Sequence, residues 1–153
     1  MRVNYKIIRL PPAPPAFPEP ALDWLPLLPV KIFYNQISTK PFLATVDSGS
    51  RSCLFHASIG ESLGIPIRRG VHETIRGVVA STTGDVYYHK IKLVIAAEML
   101  EITAGFSYDL PLPALLGRDG FFDNFRVTFD PDLSPPGLEL YLAKRLNPQR
   151  RAH

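Results

Sequence analysis

At 153 residues, with 46% hydrophobic and 20% charged content, the chain has the size and composition of one soluble globular domain. Its formal charge of +3 is concentrated in the C-terminal "KRLNPQRRAH", a run expected to be solvated, so no nucleic acid is expected as a partner. A single cysteine, Cys53, excludes an internal disulfide. With no signal-peptide core and no run near the roughly 20 apolar residues of a membrane span, a cytoplasmic protein without membrane contact is expected.

The first predicted element is a strand in "VNYKIIRL", residues 3–10. Eight of the sixteen prolines then fall between Pro11 and Pro29, where missing amide donors and fixed φ angles oppose a helix and most sheet pairing. Residues 1–26 are therefore expected to form a strand and a proline-rich arm that runs along the surface, pinned by Phe17, Trp24 and Leu25. The alternative for this arm is a PxxP-type ligand for a partner domain.

Short β-like segments follow: "LPVKIFYN", "KPFLATVD", "HETIRGVVAS", "DVYYHKIKLVIA", "RVTFD" and "LELYLA". Rich in Val, Ile, Tyr and Phe and bounded by turn residues, they predict an all-β, mainly antiparallel domain over 27–142, with a basic tail at 143–153. Two short helices interrupt it. In "FHASIGESLG", Ile59 and Leu63 share a face and Gly64 with Pro66 stops the run. In "RDGFFDNF", Asp119 is placed to cap a turn whose inner face carries Phe121, Phe122 and Phe125.

Familiar catalytic and metal signatures are missing. "HETIR" lacks the second histidine of a zinc helix, and the chain has neither a GxxxxGK loop nor a GxSxG elbow. Cys53 and His56 alone do not make a zinc site, and His72 and His89 have no evident partners, so neither metal nor cofactor is expected.

Two features remain. "FLATVDSGS" is an apolar run ending in Asp47, Ser48 and Gly49, and "LPALLGRDGFF" brings Leu115 and Leu116 into Gly117, Arg118 and Asp119. They lie 68 residues apart, Gly49 to Gly117, with a glycine-bounded hairpin between them. In this order the chain resembles the retropepsin-like aspartic proteases, the single-lobe, retroviral-type branch of the pepsin fold. Their first motif is an apolar run followed by Asp, Ser or Thr, and Gly. Their second is an apolar pair followed by Gly, usually with Arg and Asp or Asn after it, and then a short helix.

The resemblance implies a single-lobe acid-protease barrel and a peptidase mechanism in which two carboxylates share one proton. Because only one Asp-Ser-Gly triplet is present, it implies a homodimer that contributes Asp47 from each subunit, acting on a polypeptide substrate. By the same resemblance Ser48 bonds across the two-fold axis, and Gly49 lets the loop approach the substrate backbone. A flap is implied over Gly77, Val78, Val79, Ala80, Ser81, Thr82, Thr83 and Gly84, with Val78, Val79, Ala80 and Leu54 making pockets apolar.

Two departures stand out. "GSRSC" carries Arg51 where retroviral enzymes often have acids, which leaves Arg118 without its usual partner, and the flap tip "STTGD" is poorer in glycine. The resemblance begins only near Leu27, which suits an arm removed by self-processing. The competing readings are a binding or dimerisation module that keeps the fold without turnover, and a β-rich protein in which "DSG" is merely a turn.

Overall fold

A computed structural model describes residues 1–76 and 83–143. In chain order the strands are β1 (Arg2–Asn4), β2 (Lys6–Leu10), β3 (Ala21–Leu25), β4 (Leu27–Tyr34), β5 (Ile37–Ser38), β6 (Phe42–Val46) and β7 (Leu54–His56). Helix α1 (Ala57–Ser62) and a single 3-10 turn (Ile67–Arg69) follow. The remaining strands are β8 (Val71–Arg76), β9 (Thr83–Ile95), β10 (Glu98–Ser107), β11 (Ala114–Leu116), β12 (Phe125–Asp130) and β13 (Gly137–Leu142).

Six of these close on themselves. The hydrogen-bonded order β4-β6-β11-β7-β10-β9 returns to β4 through a second pairing of β4 with β9, which makes a barrel with β5 and β8 as outer additions. Closure removes sheet edges and turns alternate side chains inward. Along β9, Ile91, Leu93 and Ile95 are buried and share the core with Leu28, Val30 and Ile32 of the neighbouring β4. Phe55 and Phe106, both fully buried, pack with ring centroids 5.8 Å apart. Each such side chain withdrawn from water contributes roughly 1.5–3 kcal/mol, which is why the closed form is favoured over an open sheet.

Helix α1 forms where the sequence predicts it. His56 caps it, its Nδ1 accepting from the Ser58 amide at 3.2 Å, and Gly64 at φ +76° ends it. The second predicted helix is corrected: residues 118–124 are a series of turns leading into β12. Gly120 sits at φ +102°, which an α-helix does not admit, and Asp119 is taken up by a bridge to Ser52 instead of capping. The aromatic pattern still reports the core, since Phe121 and Phe125 are buried with centroids 5.4 Å apart.

The N-terminal region is also corrected. The strand expected over 3–10 is broken at Tyr5, whose amide donates to the Pro136 carbonyl at 2.9 Å. Its first part, β1, pairs antiparallel with β13, which pairs in turn with β12, giving a separate three-stranded sheet. Its second part, β2, forms a two-stranded hairpin with β3, despite the prolines between them. The prolines occupy the connection and Pro26, leaving the ladder from Lys6↔Leu25 to Leu10↔Ala21 intact. The hairpin is not pinned to the barrel by its aromatics, as Phe17 is 70% and Trp24 39% exposed; of the three expected anchors only Leu25 is partly buried.

Candidate active site

The two motifs meet. Strand β11 runs parallel to β6, with Leu115 opposite Thr45 and Leu116 opposite Val46, and antiparallel to β7, with Leu115 opposite Leu54. The chain must therefore cross the end of β11 between β6 and β7, and residues 47–53 make that crossing. Asp47 is held at the start of it: its amide donates to the Leu116 carbonyl at 3.1 Å, and its carbonyl accepts from the Ser50 amide at 3.2 Å. On the far side the Arg118 amide reaches the Ser50 carbonyl at 3.0 Å and the Asp119 amide the Arg51 carbonyl at 2.7 Å.

Gly117 lies directly beneath this crossing. A Cβ there would come within 2.3 Å of the Ser52 carbonyl oxygen and 2.9 Å of the Ser50 carbonyl oxygen, so only glycine lets the two backbones pass. The Asp47 carboxylate is oriented from its own turn, Oδ1 accepting from the Gly49 amide at 2.9 Å. Ala44 and Val46 are buried while Asp47 is half-buried and Ser48 exposed. The strand thus anchors the acid, and the turn presents it at the surface.

Among the described residues Arg118 has no acidic partner. Its guanidinium donates to the Ser48 carbonyl at 3.2 Å and lies 3.5 Å from that of Gly49, tying the second motif to the first. Arg51 pairs with Asp119, Nε to Oδ2 at 3.5 Å, with both side chains largely exposed, so the pair adds little stability. One residue pair escaped the sequence reading. Ser52 Oγ and Tyr88 Oη are 3.2 Å apart, which links the crossing to β9, and burial pushes the Tyr88 phenol up from its usual pKa. Nothing in the local sequence marks either residue.

The hairpin expected as a flap is formed by β8 and β9, with Arg76 opposite Thr83. Gly77, Val78, Val79, Ala80, Ser81 and Thr82 lie outside the described residues, while Thr83 and Gly84 open β9. At its base His72 Nε2 and Asp85 Oδ1 are 2.8 Å apart, a bond that lowers the Asp85 pKa from its ordinary value. Leu54, expected at a pocket wall, is 6% exposed and stands outside the main core cluster, beside Val86 and Tyr88 over Gly105. A concavity of about 640 Å³ bounded by Phe33, Lys90, Lys92 and Asn124 touches the two motifs only at Asp119 and does not include Asp47.

The candidate metal ligands have other occupations. His89 Nε2 meets the Ile67 carbonyl at 2.8 Å, His56 caps α1, and Cys53 is fully buried. Burial pushes the Cys53 thiol up to about 11. Native protein at pH 8 is therefore expected to react with a disulfide reagent such as DTNB at least about a hundredfold more slowly than unfolded protein. A fast native reaction would mean that the crossing opens.

Searched against protein-family models and curated proteins, the chain matches none. Solved structures do match. A retropepsin-like aspartic protease from Rickettsia conorii superposes with a TM-score of 0.54 at 14% identity, over 89% of this chain and 98% of that one. The chain has the retropepsin-like fold. The retroviral protease-like domain of Ddi1 from Leishmania major (TM-score 0.45, 18% identity, 80% of this chain and 99% of that one) is a looser match. So is the EIAV protease complexed with the inhibitor HBY-793 (0.45, 15%, 61% and 82%). At these identities the likeness concerns the retropepsin-like fold alone. Among the described residues no helix is long and apolar enough to cross a membrane.

Proposed function

We propose that the protein is a homodimeric aspartic endopeptidase in which Asp47 from each of two subunits activates one water. The observation that carries this is the Asp47-Ser48-Gly49 turn, its carboxylate oriented by the Gly49 amide and its chain continuing into a crossing packed on Gly117, on a retropepsin-like fold. The Oδ1 bond to the amide two residues on is also that of an ordinary Asx turn, so the reading rests on where this turn stands in the fold, and a single turn supplies only half of an acid/base pair.

Two carboxylates about 3 Å apart would repel by roughly 5 kcal/mol at an effective dielectric of 20 if both were charged. They therefore hold one proton between them, and the apparent pKa values belong to the pair. The ionised member takes a proton from water as it attacks the peptide carbonyl, and the protonated member donates to the carbonyl oxygen. The amine leaves with a proton returned from the pair. No metal or covalent intermediate enters this scheme.

The catalytic unit is proposed to span residues 27–142, with β1 completing its terminal sheet. The β8–β9 hairpin acts as the flap, and an extended polypeptide adds alongside it as a further strand. The free buried thiol suits a reducing, cytoplasmic setting. Purified protein incubated with a diverse peptide mixture across about pH 4–7 is expected to produce new termini detectable by mass spectrometry. An unchanged mixture, with peptides retained on the dimer, would instead make the protein a binding module.

Arg118 braces the turn by its backbone carbonyls and lies at the surface. Arg118→Ala is expected to reduce turnover about tenfold while shifting stability by less than about 1 kcal/mol. Unaltered turnover in steady-state assays would remove that bracing role.

A further inference from the structure

Among the described residues, the β2–β3 hairpin has no partner strand within its own subunit. The two strands pair with each other and with no other strand, and every residue of β2 is exposed. Residues directly opposite each other in a ladder share a face. One face therefore carries Ile7, Trp24 and Leu22 with Arg9, and the other carries Ile8, Leu10, Ala21 and Leu25 with Lys6 and Asp23. Ile7 and Leu22 are 52% and 57% exposed. A two-stranded hairpin alone in water is marginal, and one whose Ile7, Leu22 and Trp24 face carries a single charge is expected to lie against another surface.

Where the hairpin leaves the barrel identifies that surface. The Val46 amide donates to the Pro26 carbonyl at 2.9 Å, and Leu27 lies opposite Thr45, so β3 ends beside the strand that delivers Asp47. A shared carboxylate pair requires the two-fold axis to pass next to Asp47. Both copies of the hairpin then emerge at that axis. The C-terminal strand β13 is meanwhile occupied on both edges, by β1 and β12 of its own subunit, and offers no edge to a partner.

We propose that the β2–β3 hairpin is a dimerisation arm, laid across a second copy of this chain at the two-fold axis. This rests on the dimeric reading of the active site and names the element that holds the dimer. A five-residue strand spans roughly 17 Å, enough to cross onto the partner. The arm must then persist in active protein, so self-processing at this segment is not part of the scheme.

Trp24 is the sole tryptophan and reports directly on the arm. On raising the concentration of full-length protein from nanomolar to tens of micromolar, its emission is expected to shift to the blue in step with dimer formation by sedimentation. The variant Ile7→Glu/Leu22→Glu keeps Trp24 and charges its face, and is expected to weaken dimerisation about a hundredfold or more. Its circular dichroism is expected to be unchanged, and its melting to match the wild type at concentrations where both are monomeric, because the altered residues do not pack on the barrel.

A dimeric wild type whose variant dimerises equally well overturns the arm and leaves the protease reading intact. A wild type that dimerises through the arm yet cleaves nothing keeps the arm and overturns the protease. A wild type monomeric at every concentration removes both, and a Trp24 blue shift on anionic vesicles in that case would assign the hairpin to a lipid surface.

Discussion

Asp47→Asn is expected to abolish peptide cleavage, lowering kcat by about a thousandfold or more, while leaving melting and dimerisation unchanged. The substitution is nearly isosteric, and the asparagine Oδ1 still accepts from the Gly49 amide that meets Asp47 at 2.9 Å. What is lost is the ability to ionise. An amide neither takes a proton from water nor passes one to the leaving nitrogen, and general acid/base contributions of this kind are each worth about 10²–10⁴ in rate. In a homodimer one codon change removes both members of the pair.

The shared pair has a sharper consequence. If wild-type and Asp47→Asn subunits are mixed in equal amounts and allowed to exchange, only about a quarter of the dimers are wild type on both sides. Activity per wild-type chain is then expected to halve, and to approach zero with excess variant. A chain carrying a complete site within one subunit would show no such suppression. Unaffected activity per wild-type chain, in a mixture shown by native mass spectrometry to have exchanged, would therefore contradict a dyad built across the axis.

Much of this site was legible in the sequence because its signals are local. An apolar run that stops at Asp-Ser-Gly and another that stops at Leu-Leu-Gly mark two strand ends whatever surrounds them. Their meeting in space is a matter of long-range pairing that neither motif states, and the parallel register of Leu115 with Thr45 supplies it. The helix after Gly117 was misread because Phe121, Phe122 and Phe125 repeat at helical spacing. That spacing records which side chains enter the core, and Gly120 at φ +102° decides the backbone independently.

The N-terminal hairpin was illegible for a different reason. Proline density argues against sheet pairing on average, yet the ten residues that pair, Lys6–Leu10 and Ala21–Leu25, contain no proline at all. Only the alignment of two short segments across ten intervening residues shows it. Arg118, left without its usual acid, was expected to find another partner, and it bonds to the Ser48 carbonyl at 3.2 Å, which side-chain patterns cannot announce.

Gly117→Ala is expected to be the most destabilising single-methyl addition in the active-site region. The added Cβ would stand 2.3 Å from the Ser52 carbonyl oxygen, 2.6 Å from its carbon and 2.9 Å from the Ser50 carbonyl oxygen. All three are backbone atoms, so no rotamer change relieves the clash. The crossing must lift away from β11, and the bonds of Arg118 and Asp119 amides to Ser50 and Arg51 stretch with it. Overpacking of this severity costs about 3 kcal/mol or more, a fall of roughly 10 °C in Tm for a domain this size. Gly64→Ala provides the contrast: φ there is +76° but nothing lies within 4 Å, so only left-handed strain of about 1 kcal/mol is expected. Chemical denaturation of both variants separates the two causes. Equal losses at the two positions would mean that the crossing yields easily, and that Asp47 is held less rigidly than its hydrogen bonds imply.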